Sequence, residues 1–239
     1  MVIQSPKSSS NELPSKERAP EDVRNEKSLD RLIALSDGIF AFAMTLLALD
    51  LVTPVIVGQA TDATLSSALA NEFHSFLGFF VSFWVISMLW FTHHRIFSYI
   101  KNFDAGIARL NLVLLFFVVL VPFATRVLNY GFLRIAVDVF ALIQIGAFLT
   151  TSIIWRYASD PDRHLLYESV PQNVIKWLSG RGFVAATIYV LSMFVGFLDP
   201  NVTVVIWLAI FPILIALDRH FTKRTPITED SKKLRKASG

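Results

Sequence analysis

The chain has 239 residues, of which 54% are apolar and only 17% charged, and its net charge is +3; mean hydropathy is +0.53. Values this far from globular averages, with the charges crowded into the ends and a few short loops, exclude a solvated soluble domain and indicate an all-α polytopic membrane protein. With no cysteine there is no disulfide, thiolate metal site or cysteine nucleophile, and the basic residues flank apolar spans, where they orient a membrane protein rather than bind nucleic acid.

Residues 1–30 mix Ser, Pro, Lys and Glu with few large apolar side chains, and are expected to form a disordered cytoplasmic tail without the apolar core of a signal peptide. The first span is expected from Arg31 to about Thr53, where Pro54 breaks the helix. Val55 to Phe73 reads as a loop of small and polar residues lacking Lys and Arg. The second span, about His74 to Tyr99, is rich in aromatics and closes on WFTHHRIF, and Lys101 to Arg109 is a short charged turn. The third span runs from about Leu110 to Leu128 and contains Pro122, tolerated in a membrane helix whose neighbours satisfy the freed carbonyl. The fourth occupies roughly Phe132 to Tyr157, with Asp138 and Gln144 inside it. Ala158 to Arg181 is a charged connector with an amphipathic piece around Val174 to Leu178; the fifth span is about Gly182 to Leu198 and the sixth Val202 to about Leu217. Each approaches the ~20 residues that cross the hydrocarbon. The expected organisation is thus a six-helix transmembrane domain over 31–221, flanked by the tail 1–30 and a basic cytoplasmic tail over 222–239.

Lys and Arg collect in both tails and in the loops after spans two and four, while the loops after spans one and five have none. The positive-inside rule places both termini in the cytoplasm of a multi-pass cell-membrane protein, the arrangement an even number of spans requires.

An ionisable group inside a span costs roughly 3 kcal/mol on insertion scales and is normally paired or functional. In the antiparallel layout Arg31, Ser36 and Asp37 of span one lie at the depth of Trp90 and His94 of span two, so these five form a candidate polar network. Two uses are open: a proton relay or ion site, and the commoner interhelical clamp. His93 and His94 do not share a metal, since adjacent helical residues point about 100° apart, and no cluster of His and carboxylates spaced for zinc occurs. Arg126 and Asp138 are placed to pair at the outer side; Asn111 and Gln144 are expected in interhelical hydrogen bonds. There is no phosphate loop, catalytic triad or carboxylate pair, so an enzyme is not expected.

Span one has a second face. Gly38, Phe42, Thr45 and Leu49 fall within a stripe about 60° wide, with Ser36, Phe40 and Leu47 opposite. The stripe is either ordinary packing, with Gly38 allowing close approach, or the lining of a pore closed by symmetry-related copies, in which Phe42 and Leu49 constrict and Thr45 supplies hydroxyls to a partly dehydrated cation. Periodicity alone favours packing.

The run of Arg31, three residues, then Leu35-Ser36-Asp37-Gly38 and IFAFAMTLLALDL resembles the Arg-x-x-x-Phe-Ser-Asp signature of the transmembrane protein 175 family of potassium channels in its bacterial form. WFTHHRIF and NLVLLFFVVLVPFATRVL are similar to that family too. The resemblance implies a single six-helix repeat, a homotetramer with helix one lining the pore, and no TVGYG filter loop. It places the constriction on Phe42, with Leu46 and Leu49 as further apolar positions, and selectivity on Thr45. Leu35 departs from the signature Phe, and Phe42 stands where a smaller Ile or Leu is usual. The expected function is a potassium-permeable cation channel, with potassium ions and the lipid bilayer as partners and no cofactor or bound metal; the alternative is a proton-coupled transporter or proton leak through Asp37 and His94.

Overall fold

The computed structural model describes residues 20–209, residue 57 excepted; the expected tail over 222–239, residues 1–19 and the sixth span beyond 209 lie outside the described residues. The described residues form helices α1 (Pro20–Leu49), α2 (Asp62–Asn71), α3 (Phe73–Phe97), α4 (Ala105–Leu128), α5 (Arg134–Ala158) and α6 (Gln172–Val195), followed by a short apolar helix α7, Pro200–Ala209. Five of them, α1 and α3 to α6, are long and apolar enough to cross a membrane.

α1 corrects the expected boundary. Its 30 residues span about 45 Å at the helical rise, some 15 Å more than the ~30 Å hydrocarbon core, so residues 20–30 continue the span as helix rather than beginning as coil. Leu29 and Leu32 are buried, and elongating an existing helix costs little compared with nucleating one. The helix stops at Leu49, before the expected Thr53; Pro54 prevents its resumption. The following segment is not all loop: Thr61 caps α2 reciprocally with Thr64, whose backbone N–H donates to the Thr61 hydroxyl at 3.2 Å while the Thr61 N–H donates to the Thr64 hydroxyl at 2.9 Å. α4 starts earlier than expected because the Asp104 carboxylate accepts the Ile107 N–H at 2.7 Å. The Val174–Leu178 piece is no separate element but part of α6, which runs unbroken from Gln172.

α5 packs along both α4 and α6, and α1 lies across α3 and α4. Small residues set two of these approaches. A Cβ on Gly146 would stand 2.2 Å from the Phe117 ring of α4, and one on Gly182 of α6 would stand 2.7 Å from the Phe148 carbonyl of α5. Between α3 and α4 the Thr125 and Ser82 hydroxyls are hydrogen-bonded to each other at 2.6 Å. At one end of the bundle, the Lys101 N–H donates to the Leu165 carbonyl at 2.8 Å, tying the α3–α4 loop to the α5–α6 connector.

Two polar expectations are corrected. Arg126 pairs with Asp50, at the end of α1, instead of Asp138; Asp138 pairs with Arg134 one turn away, at 3.5 Å. The i,i+4 partner needs no second helix to be in register. Gln144 is buried with neither amide atom hydrogen-bonded.

Candidate pore helix and its polar support

α1 has two unlike faces. Leu32, Ser36, Phe40, Ala43 and Leu47, spaced by four or three residues, are buried, with Phe40 and Leu47 at 0% exposure. This face rests on α3 and α4. On the other side Gly38, Phe42, Thr45 and Leu49 are exposed, Phe42 at 63% and Leu49 at 77%, while Leu46 sits half-buried at the edge of the stripe. No atom lies within 4 Å of a Cβ built on Gly38, so the stripe is open to another molecule along its length. Arg24, Lys27 and Arg31 extend the stripe in helical register at its N-terminal end and are exposed as well.

Thr45 donates its hydroxyl hydrogen to the Phe42 carbonyl at 2.8 Å. The donor is therefore spent within the helix, and only oxygen lone pairs are left for a partner. A cation suits that arrangement better than an anion.

Behind the stripe, two polar contacts tie α1 to its neighbours. Trp90 Nε1 of α3 donates to Asp37 Oδ1 at 2.8 Å. A second chain, fully buried, crosses three helices: Asn111 Oδ1 of α4 meets His93 Nε2 of α3 at 2.9 Å, and Asn111 Nδ2 donates to Ser36 Oγ at 2.9 Å. Ser36 in turn donates to the Leu32 carbonyl at 2.8 Å. Direction follows from these partners: Ser36 can only accept from Asn111, so the amide nitrogen faces Ser36, the amide oxygen faces His93, and His93 must donate through Nε2. The chain ends on a backbone carbonyl, which has no proton to pass on.

Of the five residues in the expected network, Ser36, Asp37 and Trp90 are in these contacts. His94 is not bonded to Asp37; it is exposed, and its ring stacks on Trp90 with centroids 5.7 Å apart. Arg31 is exposed and joins neither contact. The adjacent His93, missed from the sequence, takes the buried place, stacked on Phe97 at 4.2 Å. Among the described residues no group of His, Cys and carboxylates is arranged to hold a metal ion.

The family model described as "Endosomal/lysosomal potassium channel TMEM175" matches residues 31–122, the stretch holding both the stripe and its support. A potassium channel of Chamaesiphon minutus is 30% identical over 193 residues, covering 79% of this chain and 91% of the relative. A human endosomal/lysosomal proton channel, TMEM175, is 33% identical over 108 residues, which are 43% of this chain and 21% of that protein. The crystal structure of a lysosomal potassium-selective channel TMEM175 homolog from Chamaesiphon minutus superposes with a TM-score of 0.66 at 27% identity, covering 82% of this chain and 99% of the other. These relatives are channels, not enzymes, and the chain belongs to the TMEM175 channel family.

Proposed function

We propose that the chain is a potassium-permeable cation channel in which four copies place the exposed stripe of α1 around a common axis. Each copy contributes one six-helix repeat over residues 31–221, α7 being the start of the sixth span, with both termini cytoplasmic. The observation that carries this reading is the contrast on α1: the face opposite the stripe is fully buried in its own subunit, and the stripe itself has no partner there. In this assembly Phe42, Leu46 and Leu49 form apolar constrictions that open by wetting. Thr45 forms a ring of hydroxyl oxygens about one turn from Phe42, and no TVGYG loop is needed. Carbonyl-like oxygens that replace part of a hydration shell favour the more easily dehydrated potassium ion over sodium. The Trp90–Asp37 and His93–Asn111–Ser36 contacts hold the lining helix from behind.

Potassium flux into liposomes containing the purified protein tests this. Thr45→Val removes the hydroxyl ring and narrows the preference for potassium over sodium; Phe42→Ala raises flux by relieving the constriction. Flux that both substitutions leave unchanged contradicts the assignment.

The second reading, a proton path through Asp37 and His94, is favoured by the name of the human relative and by the placement of both side chains against Trp90. It predicts proton flux that is abolished by His94→Ala. The channel reading predicts that His94→Ala retains potassium flux.

A further inference from the structure

A cleft separate from the stripe lies where α3, α5 and α6 meet. Thr92 of α3, Thr151 and Ser152 of α5 and Arg181 of α6 supply its polar lining, and Phe148, Leu178 and Ala185 its apolar wall. Burial defines its direction: Thr151, Ser152 and Gly182 are buried, whereas Thr92 and Arg181 are half-buried and mark the mouth. The cleft encloses about 20 Å³, room for one water-sized group at its inner end.

Its hydrogen-bonding capacity is specific. The Thr92 and Thr151 hydroxyls each donate to the carbonyl one turn back, at 2.8 Å, so they present only acceptor lone pairs to the cleft. Ser152 Oγ differs. It is buried to 1% exposure, has no hydrogen-bond partner and lines the cleft. An unpaired hydroxyl in a membrane interior costs free energy until something fills it. Arg181 adds a fixed positive charge at the mouth, and Arg95 lies one turn beyond Thr92 on the face of α3 that carries Met88 and Thr92.

The height in the bilayer fits a headgroup. Thr92 is five residues from the end of α3 at Phe97 and Ser152 six from the end of α5 at Ala158, about 8–9 Å in each case. The cleft thus opens at the end of the bundle rich in Lys and Arg, the cytoplasmic leaflet by the positive-inside rule, where basic pockets between spans select anionic lipid phosphates.

We infer that this cleft binds an anionic phospholipid with a hydroxyl-bearing headgroup. Arg181 takes the phosphate charge, one headgroup oxygen enters to accept the Ser152 O–H, and headgroup hydroxyls donate to Thr92 and Thr151. The acyl chains stay in the bilayer outside the cleft, whose apolar wall of Phe148, Leu178 and Ala185 is buried. The site rests on the membrane assignment and is independent of the pore stripe.

Native mass spectrometry of the detergent-solubilised full chain with added dioleoyl-phosphatidylglycerol tests it. The lipid binds in preference to dioleoyl-phosphatidylcholine; Arg181→Gln weakens it about ten-fold, Ser152→Ala about three-fold, and Arg181→Lys retains most of the affinity. Equal binding of the two lipids, or unchanged phosphatidylglycerol affinity in both Arg181→Gln and Ser152→Ala, overturns the site. Displacement of the lipid by inorganic phosphate at comparable concentration overturns the lipid assignment and leaves a free-anion site. Where Arg181→Gln fails to fold, the contrast of Ser152→Ala with the parent decides.

Discussion

Replacing Asn111 by Leu removes the polar centre of the buried chain that joins α1, α3 and α4 while keeping the same branched arrangement of side-chain heavy atoms. Two interhelical hydrogen bonds are lost, each 2.9 Å long in the folded protein. Interhelical bonds in membrane proteins contribute about 0.6–1.7 kcal/mol each, so the pair sums to about 1–3 kcal/mol. The higher part of that range is expected, because the His93 Nε2–H is left without an acceptor inside the bundle and Ser36 loses its only donor. The assay is reversible unfolding of the purified protein in mixed detergent, followed by helical circular dichroism. A double-mutant cycle with Ser36→Ala isolates the Asn111–Ser36 contact, with an expected coupling of about 0.6 kcal/mol or more. His93→Ala and His94→Ala provide the internal control. The first breaks the chain and destabilises by a similar amount; the second removes an exposed ring and costs well under that. A coupling near zero, or a His94→Ala cost equal to that of His93→Ala, refutes the clamp.

Two further perturbations probe packing and charge. Gly182→Ala drives a methyl group to 2.7 Å from the Phe148 carbonyl and 2.1 Å from Ser152 Oγ, so α5 and α6 must separate; overpacking of this kind costs about 1–3 kcal/mol in the same unfolding assay, and a neutral result contradicts the close helix approach. Arg24 and Lys27 extend the stripe at its N-terminal end, and in a four-fold channel their charges repel entering cations. Joint substitution by Gln raises potassium flux, with a larger gain at 0.01 M salt, where the screening length is about 30 Å, than at 0.15 M, where it is about 8 Å; no change at either salt places these side chains away from the conduction path.

Much of this architecture is legible in the residues because a membrane imposes length and composition on its helices. The uncharged runs mark α3, α4 and α5, and the three-and-four spacing of Ser36, Phe40 and Leu47 against Phe42, Thr45 and Leu49 divides α1 into a buried and an open face. The start of α1 is not legible: the Glu, Lys and Asp of residues 20–30 read as a solvated tail, and only continuity with the span below extends the helix. His93 and His94 show a second limit. They stand about 100° apart on α3, and a helix apolar all round gives no moment to tell which of them faces α4. The clue is in α4 instead, where Asn111 on the α1-facing side needs a partner of fixed depth. In the sequence Arg126 and Asp138 read as a pair because both lie near one end of adjacent helices, yet Asp50, just past the last turn of α1, is the partner that Arg126 reaches.

Single cysteines show whether the exposed stripe of α1 lines the conduction path, since the chain contains no cysteine of its own. Thr45→Cys, Leu49→Cys and, as the buried reference, Leu47→Cys are reconstituted in liposomes and treated with a small cationic methanethiosulfonate while potassium flux is followed. A pore-lining stripe predicts that modification at positions 45 and 49 stops flux, with potassium protecting Thr45→Cys, and that Leu47→Cys is untouched. Block at Leu47→Cys with positions 45 and 49 unreactive contradicts it.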